Sequence, residues 1–479
     1  MNNTSEQDKG IKPTMIMSSK KTVIIFLAAA VLLLLAIYLP SFGVLSKLMV
    51  SSICFIAMAL LLWIFHPIPI GAVSLLVIVL QPLVGLTESL NVSFAGFTNA
   101  ANYFVIASFG YAMALRKTRF SQRVLIKLLN LCKEDVKKIT LAFMTMTFLL
   151  SCIMSDITAV VIAVGFAMEL INLIKDETEK KRLGRMILIA VPIASLLGGT
   201  STPVGSTINV MGLNILKGYN GTNVTFLQWM ALGLPVALVM LFISWFIITR
   251  FYHADNIESS VLVNFENKTK IVQSDLKSEK LVLFILFAII VAWVGSSWIK
   301  VLNTTTIAII GLAILMMPGV RAFTWEEFKM NVPWEIMLMG GAVISLGNIA
   351  VQNGLVSLVI EQVTGGFSNI NVFTLIVVVG GLVTVLLTII PIGPAMISML
   401  TIPAYLMAEQ FGINPVMIVI VVGMFASNSS ILPLNAVQLI PYTKGYYKIG
   451  ELARVGFVMS IVWIFIAALW ISFSSPLIF

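Results

Sequence analysis

Residues 198–209 read GGTSTPVGSTIN and residues 426–442 read ASNSSILPLNAVQLIPY, and each of these uncharged polar runs interrupts an apolar tract. Their prolines, Pro203 and Pro433, stand 230 positions apart (433 − 203), in halves of the chain that echo each other. A helix in lipid cannot carry Gly, Pro, Ser and Thr at this density without releasing backbone N–H and C=O groups, and hydrocarbon offers them no partner. The runs must therefore face protein or a wet cavity. Paired interruptions at matching places in two halves mark the substrate site of a secondary transporter.

The composition points the same way. Of 479 residues, 59% are hydrophobic and 11% charged, and the mean hydropathy is +1.02. Many stretches thus reach the ~20 apolar residues that cross a bilayer. The net charge of +9 sits in a few loops between apolar spans, where cytoplasmic retention explains it better than nucleic acid does. Cys54, Cys132 and Cys152 form no CxxC pair, and His66 and His253 are the two histidines, so no disulfide framework, zinc site or haem site is expected. Lys20 and Lys21 lead into an apolar run without a small-residue cleavage pattern, which reads as a retained first helix.

Spans are expected near 22–40, 47–65, 69–86 and 100–116. A basic segment follows, carrying Arg116, Lys117, Arg119, Arg123, Lys127, Lys133, Lys137 and Lys138. Within it, Val124, Leu125, Leu128 and Leu131 give one apolar face suited to the membrane surface. The tract 139–174 lies between two basic flanks, so it reads as a re-entrant hairpin opening from the cytoplasm, with its tip near 151–158. A broken helix over 186–216 and a span over 227–248 precede a hydrophilic segment, 250–280. Further spans are expected near 281–299, 304–318 and 334–351. No charged residue occurs over 362–408, and a Pro and Gly cluster at 390–395 reads as the tip of a second hairpin, entered from outside. A second broken helix over 415–440 and a last helix over 455–472 complete the chain.

The fold class expected is an all-α polytopic membrane protein with about eleven transmembrane helices in two inverted repeats, each with a hairpin and a broken helix. Its parts are a cytoplasmic tail (1–21), two scaffold helices (22–68), a first repeat (69–250) with hairpin 139–174, a cytoplasmic linker (251–280), and a second repeat (281–479) with hairpin 371–408. The N-terminus is expected inside and the C-terminus outside, in the cytoplasmic membrane.

Asp156 is the one charged residue between Lys138 and Glu169, at the first hairpin tip. Intramembrane acids are costly and belong to ion or proton paths; the plainer alternative is a wet tip where Asp156 caps a helix starting near Ile157. No cation occurs in either polar run, so an anion must be held by backbone N–H groups at half-helix N-termini. Hydroxyls and amides would orient it: Ser155 and Thr158 at the first tip, Thr200, Ser201, Thr202, Ser206 and Asn209 in the first run, and Ser427, Asn428, Ser429, Ser430 and Asn435 in the second. Small residues Gly198, Gly199, Gly205 and Gly393 let backbone approach a ligand. Trp229, Trp325 and Trp334 read as packing, lipid-facing or interfacial positions. Glu335 reads as the dipole partner of a helix start.

HPIPIGAVSLLVIVLQPLVGL, GGTSTPVGSTIN and the stretch from FGINP through ASNSSILPLNAV to KGYYKIGELARVGF resemble the divalent anion:sodium symporter family of di- and tricarboxylate and sulfate carriers, from about residue 47 onward. The resemblance implies an elevator-type carrier, a homodimer with scaffold and transport domains. It also implies that Ser-Asn-Thr hairpin tips and Thr-Pro-Pro-Asn-like broken helices bind sodium and substrate carboxylates. Here Ser155, Asp156 and Ile157 occupy the first tip, keeping only the serine, while Gly205, Ser206 and Asn209 keep most of the first broken-helix pattern. Gly393, Pro394 and Ala395 occupy the second tip, which has lost its polar side chains, and LNAVQ replaces the second proline-rich run. Ser155, Asp156, Gly198, Gly205 and Asn209 are the candidate sodium ligands.

The expected function is secondary transport of a small divalent anion, a di- or tricarboxylate first, coupled to sodium or protons or run as an exchange. A cation/proton antiporter or arsenite-type permease of similar architecture is the alternative. An integral-membrane enzyme would need a His, Asp or Glu cluster at membrane depth, and this chain offers a lone Asp. No organic cofactor is expected; the expected partners are the small anion, membrane lipid and a second copy of the chain.

Overall fold

The computed structural model describes residues 19–65, 67–98, 100–220, 222, 224–270, 279–299, 303–332, 334–355, 358, 370–389 and 393–478. Every regular element among them is a helix. Lys20–Tyr38, Glu177–Ser201, Phe226–Phe251 and Ile449–Ile478 are long and apolar enough to cross a bilayer, and six shorter apolar helices accompany them. The chain is an integral membrane protein.

The first hairpin is built from Val136–Ser151 and Asp156–Ile171, two arms packed on each other. It starts three residues before the expected 139 because Asp135 caps it, its carboxylate accepting from Lys137 N (2.9 Å) and Lys138 N (3.3 Å). The second hairpin is built from Val372–Ile389 and Gly393–Gln410; the part of its expected tip over 390–392 lies outside the described residues. The first broken helix runs as Glu177–Ser201 and Thr207–Asn220, the second as Pro415–Ala426 and Ala436–Tyr442.

These pieces cross over between halves. Thr207–Asn220 packs on Gly393–Gln410 and Pro415–Ala426, while Ala436–Tyr442 packs on Asp156–Ile171 and Glu177–Ser201. The distal piece of each broken helix is thus clasped by the other half. A second set of helices pairs Ile70–Leu83 with Trp334–Gln352 and Ala100–Lys117 with Thr304–Met316. It meets the first set where Trp334–Gln352 lies on Gly393–Gln410 and Ala100–Lys117 on Thr207–Asn220. At the first of these crossings Gly347 faces the backbone of Ser398, a small-residue contact of the kind that lets membrane helices approach.

Several boundaries differ from the sequence expectation. Glu177–Ser201 begins nine residues before 186, through the charged loop, because Asp176 accepts from Thr178 N and Glu179 N, both at 2.8 Å. The linker 251–280 carries a helix, Ser259–Lys270, which buries Phe265. A short helix, Trp325–Asn331, starts in a capping box between Thr324 and Glu327. Lys117 Nζ donates to both Glu327 oxygens at 2.8 and 2.9 Å, holding that carboxyl below its ordinary range, with the Thr324 backbone helping. The surface helix of the basic segment is Phe120–Leu129; Leu131, expected on its apolar face, falls beyond it and is 74% exposed. Trp334–Gln352 carries Glu335 in its first turn, as expected.

Candidate functional site

The first break spans five residues, 202–206, and is stapled from three sides. Asn209, fully buried, donates through Nδ2 to the carbonyls of Gly199 (2.8 Å) and Thr202 (2.9 Å), satisfying groups that the break frees. Two carbonyl acceptors fix the orientation of that amide, which leaves Asn209 Oδ1 buried with no hydrogen-bond partner, on the side of Gly423. Thr202 Oγ1 accepts from Gly205 N at 2.9 Å and donates to the Cys152 carbonyl at 2.8 Å, joining break to hairpin tip. Trp229 Nε1 donates to the Thr200 carbonyl at 3.0 Å.

The first tip closes against the same helix. Ser151 Oγ donates to the Ser195 carbonyl and Ser195 Oγ to the Asp156 carbonyl, both at 2.7 Å. Gly198 abuts the Phe148 carbonyl and the Ser151 side chain. A Cβ at Gly205 would stand 2.7 Å from the Ser151 carbonyl and 2.8 Å from that of Gly199, so only glycine fits there. Ser155 is buried, and its hydroxyl reaches Asp156 Oδ1 at 3.3 Å. Asp156 is half-buried, heads its own helix and accepts from Ile157 N at 2.9 Å. The cap position belongs to Ser155, whose side chain makes no capping bond, so Asp156 is a first-turn acid rather than the cap of a helix starting at Ile157, and its carboxylate is the charge at the tip.

The second break is longer, 427–435, and largely satisfies itself. Asn435 caps Ala436–Tyr442 by accepting from Gln438 N (3.2 Å) and donates to Ser429 Oγ. Asn428 donates to Ser460 Oγ on the final helix (3.2 Å) and accepts from Ser430 Oγ (2.7 Å). Gln438, fully buried, has no partner for either Nε2 or Oε1.

The two breaks meet. Ser427 Oγ reaches Ser206 Oγ at 3.4 Å. Gly393, at the second tip, lies between them: a Cβ there would stand 2.8 Å from the Ala426 carbonyl and inside contact distance of Ile208 Cδ1. The structure thus brings buried Ser206, Asn209 and Ser427 together with half-buried Gly393 in one cluster. Pro394 and Ala395 follow in the first turn of the second hairpin's outgoing arm. Ser155, Asp156, Gly198, Thr202 and Gly205 form the adjoining cluster at the first tip.

Other expected contacts are engaged elsewhere. Thr200 Oγ1 and Ser201 Oγ donate one turn back, to Leu197 and Gly198, so neither hydroxyl is a free donor for an anion. Asn428 faces the final helix, and Ser429 and Asn435 engage each other.

Two residues of consequence are not evident from sequence. Trp229 reads there as a packing or lipid position, yet it carries a hydrogen bond to the first break. Gln438 is the third residue of the helix Asn435 caps, as Asn209 is the third of the helix following Ser206. The shared spacing, Ser-x-x-Asn against Asn-x-x-Gln, is the signal that marks it. Among the described residues, no three His, Cys, Asp or Glu side chains group to hold a metal ion.

The family model for the sodium:sulfate symporter transmembrane region matches residues 19–479. The sodium-dependent dicarboxylate transporter SdcS of Staphylococcus saprophyticus is 24% identical over 446 residues, 86% of this chain and 84% of that protein. Its namesake in Staphylococcus aureus strain USA300 is 25% identical over 448 residues, 87% of this chain and 84% of that protein. Among solved structures, the Alcanivorax borkumensis YdaH transporter aligns with 80% of this chain and 87% of its own, at 13% identity and a TM-score of 0.49.

Proposed function

The chain belongs to the sodium:sulfate symporter family, and on that premise we propose a secondary carrier that moves a small divalent anion with sodium, a C4 dicarboxylate being the first candidate. The name shared by its relatives, sodium-dependent dicarboxylate transporter, supports that substrate class over an arsenite-type permease. The single observation that carries the reading is the meeting of the breaks at Ser206 and Ser427.

In this reading the anion binds between the breaks. Helix geometry leaves the first N–H groups of Thr207–Asn220 without intrahelical acceptors, although Asn209 N is taken by the Ser206 carbonyl at 3.2 Å, and the helix dipole favours negative charge there. Ser206 and Ser427 orient the anion, and Gly393 lets the second tip close on it without a side chain. Sodium binds first, at the tip formed by Ser155 and Asp156, with the carbonyls near Gly198 and Gly205 and the Asn209 amide oxygen as further oxygen donors. A hard monovalent cation suits such an all-oxygen set. Its binding orders the first tip, and the anion follows.

The finer architecture is part of the same proposal. About eleven spans form two inverted repeats over 69–250 and 281–479, with the N-terminus inside, the C-terminus outside and 251–280 linking them in the cytoplasm. Residues 22–68 belong to a scaffold that forms a homodimer, and the hairpins with their broken helices slide against it as an elevator. The reciprocal clasp between halves supports a transport block that moves as one, and the small-residue contact at Gly347 and Ser398 gives it a smooth surface to slide on.

Counterflow in proteoliposomes tests this reading, with a panel of dicarboxylates, citrate and sulfate, sodium present or absent, for the wild type and Asp156→Asn. Saturable, sodium-stimulated counterflow of a dicarboxylate is expected, with the variant shifting the sodium requirement about tenfold while still moving the anion. Absence of counterflow for every dianion would overturn the function; an unchanged sodium requirement would remove Asp156 from it.

A further inference from the structure

A crevice of about 80 Å³ runs from the first break to the protein surface, between the two sets of helices. One wall is a single face of Thr207–Asn220, because Val210, Leu213 and Lys217 fall at positions i, i+3 and i+7. Exposure falls steadily along that face: Lys217 is exposed, Leu213 half-buried, Val210 buried, and Pro203, at the floor, is a buried residue of the break itself. The opposite wall is the start of Thr304–Met316.

The chemistry of the mouth is one-sided. Among the described residues, Lys217 is the only charged one lining the crevice, and it takes part in no ion pair. The facing helix presents its N-terminus, whose dipole also favours negative charge. The carbonyl of Thr304, which would oppose an anion, is occupied by Trp293 Nε1 at 3.1 Å. Basic loops crowd the other end of the molecule, where Arg182 and Arg185 are paired with acids; here a cation outside any such pair stands over a descending passage.

Resting on the transport reading above, we propose that this crevice is the outer entry route of the carboxylate dianion and that Lys217 is the charge-selecting residue at its mouth. Lys217 does not reach the breaks. It raises the local concentration of anions over neutral or protonated solutes and delivers them along the Leu213 face to Pro203.

The test is uptake measured separately from each face, in right-side-out and inside-out vesicles, for wild type, Lys217→Gln, Lys217→Glu and Lys217→Arg. From the outer face, Lys217→Gln raises the KM for the dianion about tenfold, Lys217→Glu raises it further, and Lys217→Arg restores it, as expected for electrostatic capture. Raised ionic strength shrinks the difference between wild type and Lys217→Gln, since screening shortens the reach of the charge. From the inner face KM shifts less than about twofold.

An outer KM unmoved by Lys217→Gln, or a shift of equal size at both faces, overturns the entry route while leaving the transport reading standing. A wild type that moves no dianion from either face overturns both. Leu213→Cys gives an independent readout: a charged methanethiosulfonate reagent added outside reacts with it above the level set by the native cysteines, and transported dianion slows that reaction. A Leu213→Cys that reacts only from the inner face, or not at all, also overturns the route.

Discussion

The two breaks do the same geometric task by different means. The first is short and held by side-chain hydrogen bonds that cross between elements: Asn209 to two carbonyls, Thr202 to the hairpin tip, Trp229 to Thr200. The second is nearly twice as long and is held within itself and to the final helix, while its buried amide, Gln438, bonds to nothing. Their hairpin tips differ in the same sense, since the first carries Ser155 and Asp156 and the second Gly393, Pro394 and Ala395. The first break is therefore uncharged itself but stapled to a tip that carries a carboxylate. The second break holds itself together through its own side chains, and its tip meets it with backbone and small residues alone.

The amides break this contrast most directly. Asn209→Ala strands the Gly199 carbonyl and leaves that of Thr202 only the long bond from Gly205 N (3.4 Å), and is expected to cost about 2–4 kcal/mol, lowering the Tm of purified protein and abolishing counterflow. Gln438→Leu removes polar atoms that have no partner and should raise stability by about 1 kcal/mol, while transport falls if the free amide serves the cycle. Equal loss of Tm in both variants would erase the distinction.

The glycines give a smaller effect. Gly205→Ala forces a methyl into two backbone carbonyls and should exceed the usual overpacking cost of about 1–3 kcal/mol, seen as poor folded yield. Gly393→Ala meets one carbonyl and the mobile end of Ile208, so the protein should fold but lose most of its counterflow. Ile208→Ala in the same chain should recover part of that activity.

The smallest effect lies far from both breaks. Glu327→Gln removes the pair with Lys117, a half-exposed contact worth at most ~1 kcal/mol after screening. Because Glu327 titrates below its unfolded value, its contribution is present at neutral pH and fades as pH falls through the lower, folded value. Thermal melts of wild type and variant should therefore differ slightly at pH 7 and converge in acid, with sodium-coupled counterflow unchanged at neutral pH.

What the sequence disclosed followed from the cost of exposing backbone to lipid. That rule located the breaks around Pro203 and Pro433, because an uncharged polar run inside an apolar tract frees backbone groups that hydrocarbon cannot satisfy, while the first tip near Asp156 followed from the basic flanks on both sides of 139–174. It missed what depends on partners distant in sequence. The early start at Glu177 came from the Asp176 cap, which hydropathy does not register, and the helix at 259–270 is held by burial of Phe265 rather than by its mean polarity. Thr200 and Ser201 have the right chemistry for a ligand, but their hydroxyls turn back along their own helix. Gln438 is hidden because the second run is one residue shorter than the first between its proline and its distal helix, so matching on Pro433 misaligns the amides.

The clasp between halves also bears on how the protein is made. Thr207–Asn220 leaves the ribosome long before the hairpin arm Gly393–Gln410 on which it packs, and Asp156–Ile171 waits longer still for Ala436–Tyr442. Contacts this distant along the chain close late and slowly. The nascent first half must therefore persist in the bilayer with its break uncovered, and the interval before the second half arrives is when the chain is most open to misassembly and to membrane quality control.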